Sequence, residues 1–295
     1  MKRTNKLFKL FIPLLLLCTL IAIVFSSLAL CTTFYEDTGN INMKSPLAIF
    51  FVIFILVALA VPVVFAILFT DLKITRTKRD LPIIKLAASI LLVSLVAFEV
   101  YDMIFMGKIG FEIWRFFRLL ISFLLLVHLI FSILPAKANI VPFAKYCANA
   151  SMPIFCILSI LAIYFYGGAT PIPEYFKILT VMAYSFLTLF FLYDFKWKIM
   201  TTNPRSYLAI ASMAFVFSTT VAITSLIGVI ARGDIFPQSK VVISVFEMVL
   251  LFAFSFVCLA KVLAVKKTVS HVVKVAEEHR AKKEQAENQS LLQAY

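Results

Sequence analysis

The sequence predicts an all-α, polytopic integral membrane bundle of about eight transmembrane helices, and three observations carry that prediction. Hydrophobic side chains make up 62% of the 295 residues and the mean hydropathy is +1.01, well above the half-apolar make-up of a soluble domain. Eight apolar runs lie near the length of about 20 residues needed to cross about 30 Å of hydrocarbon. None of them alternates with the period-2 pattern of a barrel strand, and in lipid a single segment satisfies its own backbone only as a helix.

The runs cover residues 8–30, 46–70, 81–101, 114–134, 148–166, 175–193, 207–230 and 241–263, bounded by charges, prolines and polar loops. The first follows the basic Lys2, Arg3 and Lys6. The second ends at Asp71 and Lys73, the fourth opens on Trp114, an interfacial anchor, and the sixth ends at Asp194 and Lys196. The fifth and sixth are the shortest. Gly167, Gly168, Pro171 and Pro173 separate them, a loop composition that argues for two spans over one bent helix. Residues 1–265 therefore form the bundle and 266–295 a polar tail.

Short cytoplasmic loops carry the excess of Lys and Arg. With the N-terminus inside, most of the 28 basic residues fall on inner loops and the tail, and acidic residues offset the outer ones. Both termini are then cytoplasmic, in what reads as a bacterial cytoplasmic membrane. The first span has a competing reading as a secretory signal, with small residues at Ser26, Ser27 and Ala29. Its apolar stretch is longer than a signal's, which favours an uncleaved anchor. Cys18, Cys31, Cys147, Cys156 and Cys258 show no ligand spacing and no disulfide framework. The sequons at Asn149 and Asn288 fall on the inner side, where glycosylation does not occur.

An offset of 123 residues lays spans two to four on six to eight, matching Asp71 and Lys73 with Asp194 and Lys196, and Ala88-Ser89 with Ala211-Ser212. Such a match is compatible with a parallel duplication or with composition alone. In the tail, Val265, Val269, Val272 and Ala276 form a helical stripe too short for a coiled coil. Lys266, Lys267 and Lys274 beside the last span suit anionic lipid, and the tail suits a cytoplasmic protein partner or a second copy of the chain.

Ionisable side chains inside spans are costly and are functional candidates. Glu99 and Asp102 stand three apart at the outer end of the third span, and Arg115 and Arg118 three apart at the start of the fourth, so each pair shares a helix face. They read either as a staple of one hairpin at headgroup level, with Glu112 assisting Arg115, or as an outward-opening substrate site, since an arginine fork suits carboxylate or phosphate. Glu247, seven residues past Lys240 and so about 10 Å down a helix, reads as a proton or cation site or as a structural carboxyl. His128, about 15 Å deeper than Arg118, reads mainly as a neutral hydrogen-bonded residue. Ala211, Ala214, Ser218, Ala222 and Ser225 make a small-residue ridge that permits close helix contact and places the seventh span at the bundle centre. Pro13, Pro62 and Pro153 predict local kinks.

No zinc-protease, dinucleotide, phosphate-loop or hydrolase motif occurs. The sequence thus points away from an enzyme, a cofactor, a metal and a nucleic-acid partner. It favours a small-solute or ion permease with an outward-facing polar cavity over a non-catalytic sensor or assembly subunit acting through its tail.

Overall fold

The computed structural model describes residues 2–32, 44–69, 72, 81–109, 113–134, 142–165, 174–199, 203–231 and 245–293. Among these, the chain forms eight α-helices and no strand: α1 (Lys2–Thr32), α2 (Pro46–Leu68), α3 (Pro82–Ile109), α4 (Ile113–Ile133), α5 (Pro142–Tyr164), α6 (Glu174–Ile199), α7 (Pro204–Ala231) and α8 (Val245–Gln293). Seven of them are long and apolar enough to cross a membrane. In α5 the apolar stretch among the described residues is Asn149–Tyr164. The protein is a multi-pass membrane protein, with seven helices of spanning length among the described residues.

Several helices outrun the apolar stretches that announce them. Helix α3 continues to Ile109, which leaves Asp102 two turns inside the helix, and α8 runs 49 residues without a break through the polar tail. Pro13, Pro62 and Pro153 all lie within continuous helices.

The helices pack as a ring with a flank. Backbones of α3, α4, α5, α6 and α8 approach one another in that order, and α8 returns to α3 to close the circuit. Helix α7 lies against α6 and α8, and α1 and α2 cover its other side. Stacked rings fix the relative directions. Phe8 on Phe69 and Phe11 on Phe65 set α1 antiparallel to α2, and Trp114 on Phe165 sets α4 antiparallel to α5. Contacts of α6 with α8 advance together along both helices: Tyr184 with Glu247, Phe191 with Phe254, Asp194 with Lys261. These two helices are parallel.

Helix α7 packs against four others, α1, α2, α6 and α8, and the small-residue ridge permits that close approach. Ala211, Ala214, Ser218, Ala222 and Ser225 are all buried, among seventeen buried positions on this helix. Without a hydrophobic drive between helices in lipid, close backbone approach and interhelical hydrogen bonds hold such contacts. One such bond joins Ser26 of α1 to Thr224 of α7 at 2.5 Å. Helix α2 follows the opposite logic: it is apolar all round and shows lipid-sized residues such as Ile49, Leu56 and Ile67 outward.

The 123-residue offset does not repeat in space among the described residues. Helix α6 packs on α7, whereas its counterpart α2 has no contact with α3 and packs instead on α1 and α7. The equivalences at Asp71 and Lys73 lie outside the described residues.

An Ala214→Leu substitution should cost about 1–3 kcal/mol through overpacking of the α7 ridge, whereas Ile230→Ala, at an exposed position, should stay within about 0.5 kcal/mol. Thermal unfolding of the detergent-solubilised variants checks both.

Candidate functional site

Where α3 ends and α4 and α8 begin, charged side chains fill the ring. Glu99 and Asp102 of α3, Arg115 and Arg118 of α4, and Glu247 of α8 are exposed by only 5%, 6%, 5%, 3% and 4%. The i,i+3 spacing that puts each α3 and α4 pair on one face turns both faces inward toward each other. Arg118 Nη2 reaches Asp102 Oδ2 at 2.6 Å, and Arg115 Nη1 lies 3.7 Å from Asp102 Oδ1. One carboxylate thus serves two guanidiniums. The Arg118 guanidinium also sits 4.6 Å over the Phe98 ring, a placement worth more in a desolvated site than at a surface.

Hydroxyl groups hold the other two carboxyls. The Ser122 Oγ, one turn along α4 from Arg118, lies 2.5 Å from Glu99 Oε1 and 2.9 Å from the Arg118 backbone carbonyl. Tyr184 of α6, fully buried, donates from its hydroxyl to Glu247 Oε1 at 3.1 Å. Glu99 Oε2 and Arg118 Nε are buried with no hydrogen-bond partner among the described residues. Glu247 also lies within charge–charge range of Arg118, Arg115 and Asp102, although the backbones of α8 and α4 make no close approach. The cluster therefore draws on α3, α4, α6 and α8, of which α4 and α8 make no close backbone approach.

Glu247 stands in the first turn of α8 as described, where the positive end of the helix dipole favours a carboxylate. The count made from Lys240 falls on residues 232–244, which lie outside the described residues. So do Glu112 and the side chains of Lys108 and Lys177.

Two further layers follow down the ring. Phe254 of α8 contacts Phe155 of α5 and Phe191 of α6, with ring centroids 5.9 and 5.6 Å apart. Beyond it Lys261 pairs with Asp194 at 3.2 Å, and the Tyr207 hydroxyl donates to the same Asp194 oxygen at 2.9 Å. Trp197 packs edge-on to Tyr207 at 4.0 Å. Glu247, Phe254 and Lys261 are seven residues apart each time, close to two full turns, and so share one face. Polar, aromatic and polar layers alternate along it.

Comparison with protein-family models, with curated proteins and with solved structures found no match. The chemistry is therefore read from the residues alone.

Of the residues singled out in sequence, the structure brings Glu99, Asp102, Arg115, Arg118 and Glu247 together. His128 is buried ten residues along α4 from Arg118. The α7 ridge serves helix packing away from it. Ser122, Tyr184 and the pair Asp194 and Lys261 escaped the sequence reading as site residues. The seven-residue spacings of 247, 254 and 261 and of 184 and 191 were the available signal. Among the described residues no three His, Cys, Asp or Glu side chains group closely enough to hold a metal ion.

Removing one partner of a buried ion pair strands the other. Arg118→Met should destabilise the protein by about 3–5 kcal/mol. The double variant Arg118→Met, Asp102→Leu should recover part of that loss, measured as thermal unfolding of purified protein in detergent.

Proposed function

We propose that the protein is a small-solute or ion permease whose binding site is the cluster of Glu99, Asp102, Arg115, Arg118, Tyr184 and Glu247. One observation carries this reading. Glu247 lies within charge–charge range of both arginines, on a helix whose backbone makes no close approach to theirs. A hairpin staple needs only α3 and α4; a third carboxyl and a fourth helix add desolvation cost that binding chemistry accounts for.

In this reading α5 completes eight crossings. The distribution of basic residues places both termini in the cytoplasm and opens the cluster outward, in a bacterial cytoplasmic membrane. The Phe155, Phe191 and Phe254 layer separates the outer cluster from the inner Asp194 and Lys261 pair. Lys266, Lys267 and Lys274 lie at the inner surface, where anionic lipid headgroups attract them at about 1 kcal/mol each.

A second reading has its own support. Helix α8 carries Glu247 in its first turn and runs unbroken to Gln293, so one rigid element links the buried cluster to a tail that could engage a cytoplasmic protein or a second copy. That is the arrangement of a sensor.

Proteoliposome uptake separates the two. Purified protein is assayed with labelled amino acids, short carboxylates, inorganic phosphate and monovalent cations as probes. The permease reading expects uptake of at least one probe, its loss in Glu247→Gln, and no change on removing residues 271–295. Uptake that persists in Glu247→Gln sinks the site assignment. A wild type inert toward every probe, together with a tail that captures a second copy of the chain, favours the sensor.

A further inference from the structure

We propose that the charged cluster binds one exchangeable proton, seated on Glu99 and hydrogen-bonded through Ser122 to the α4 backbone. The hydrogen inventory carries this. A serine hydroxyl owns one hydrogen, yet Ser122 Oγ lies within hydrogen-bond distance of two acceptors, Glu99 Oε1 at 2.5 Å and the Arg118 carbonyl at 2.9 Å. A backbone carbonyl has no hydrogen to give. If Ser122 donates to the carbonyl one turn back, as serines in helices commonly do, the hydrogen on the 2.5 Å contact comes from Glu99. The chain then runs from the Glu99 carboxylic O–H to Ser122 Oγ, and from the Ser122 O–H to the Arg118 carbonyl, with every hydrogen used once.

Charge and burial point the same way. The described cluster holds three carboxyls, Glu99, Asp102 and Glu247, against two guanidiniums, Arg115 and Arg118. Both guanidiniums engage Asp102, and Glu247 receives the Tyr184 hydroxyl. Glu99 Oε2 has no hydrogen-bond partner among the described residues. A bare carboxylate oxygen in a buried site is far costlier than the carbonyl oxygen of a neutral acid.

Release is provided for as well. When Glu99 loses its proton, Ser122 can turn its hydrogen from the carbonyl to the new carboxylate, and Arg118, already within charge–charge range of Glu99, has a free Nε–H to offer it. One proton leaves, one negative charge stays, and two donors stand beside it. That this proton is the coupling ion of transport rests on the permease reading; its presence on Glu99 does not.

Infrared difference spectroscopy of the protein in lipid, exchanged between light and heavy water at neutral pH, reads the proton without any transport. Exposed carboxyls are ionised there, so a deuterium-sensitive carboxylic C=O band reports a buried acid. The band is expected in the wild type and in Glu247→Gln, absent in Glu99→Gln, and moved to higher frequency in Ser122→Ala, which removes its hydrogen-bond acceptor. No band in the wild type, or a band unchanged in Glu99→Gln, overturns the assignment. Should Glu99→Gln fail to fold, Ser122→Ala decides: a shifted band supports the chain, an unmoved one refutes it. A proteoliposome assay negative for uptake alongside a positive band would sink the permease and leave the proton site standing.

Discussion

Burying charge inside a bundle meant for lipid is the constraint on which this structure turns. Hydrocarbon offers no water to solvate a guanidinium, so Arg118 must find its compensation in protein, and it does so three ways at once. It meets Asp102 at 2.6 Å, the Phe98 ring below it, and the charges of Glu99 and Glu247. Each demand fixes a neighbour. The α3 face has to turn toward α4, α8 has to bring its first turn to the same level, and α6 has to lend Tyr184 to Glu247. The ring of α3, α4, α5, α6 and α8 is the arrangement in which these demands are met together.

What was legible in the sequence follows from distance along the chain. Glu99 with Asp102 and Arg115 with Arg118 could be read as facing pairs because three-residue spacing sets a helix face and a short connection brings two faces together. The α7 ridge was legible for the same reason. Partners separated by 63 or 67 residues, such as Tyr184 with Glu247 or Asp194 with Lys261, leave no local trace beyond a polar residue in an apolar run. Their register is visible only once α6 and α8 are known to be parallel. Helix α3 outran its apolar stretch because Asp102, a loop-like residue by composition, is neutralised by α4 and stays helical.

Alternation of layers down α8 has a physical reason too. A continuous polar stripe from Glu247 to Lys261 would leave a water-filled or unsatisfied core along about 20 Å of helix. Phe254, between Phe155 and Phe191, replaces that stripe with edge-favouring aromatic packing at the one level where no charge has a partner. The two polar ends are then separate electrostatic problems. Asp194 pairs with Lys261 and accepts from Tyr207. Among the described residues the Glu99 end holds three carboxyls against two guanidiniums.

That imbalance is the argument against a purely structural cluster. Stability alone would be served by the Arg118 and Asp102 pair, and replacing a buried ion pair with well-packed apolar residues is often neutral or favourable. Glu99 and Glu247 go further in the wrong direction: each adds a desolvated acid to a site whose guanidiniums already face Asp102, and each also meets a hydroxyl, Ser122 or Tyr184. A hydroxyl can donate to a carboxylate and accept from an acid, so it tolerates both protonation states where a lysine or arginine would favour one. Carboxyls partnered in that way are suited to gaining and losing a proton in place.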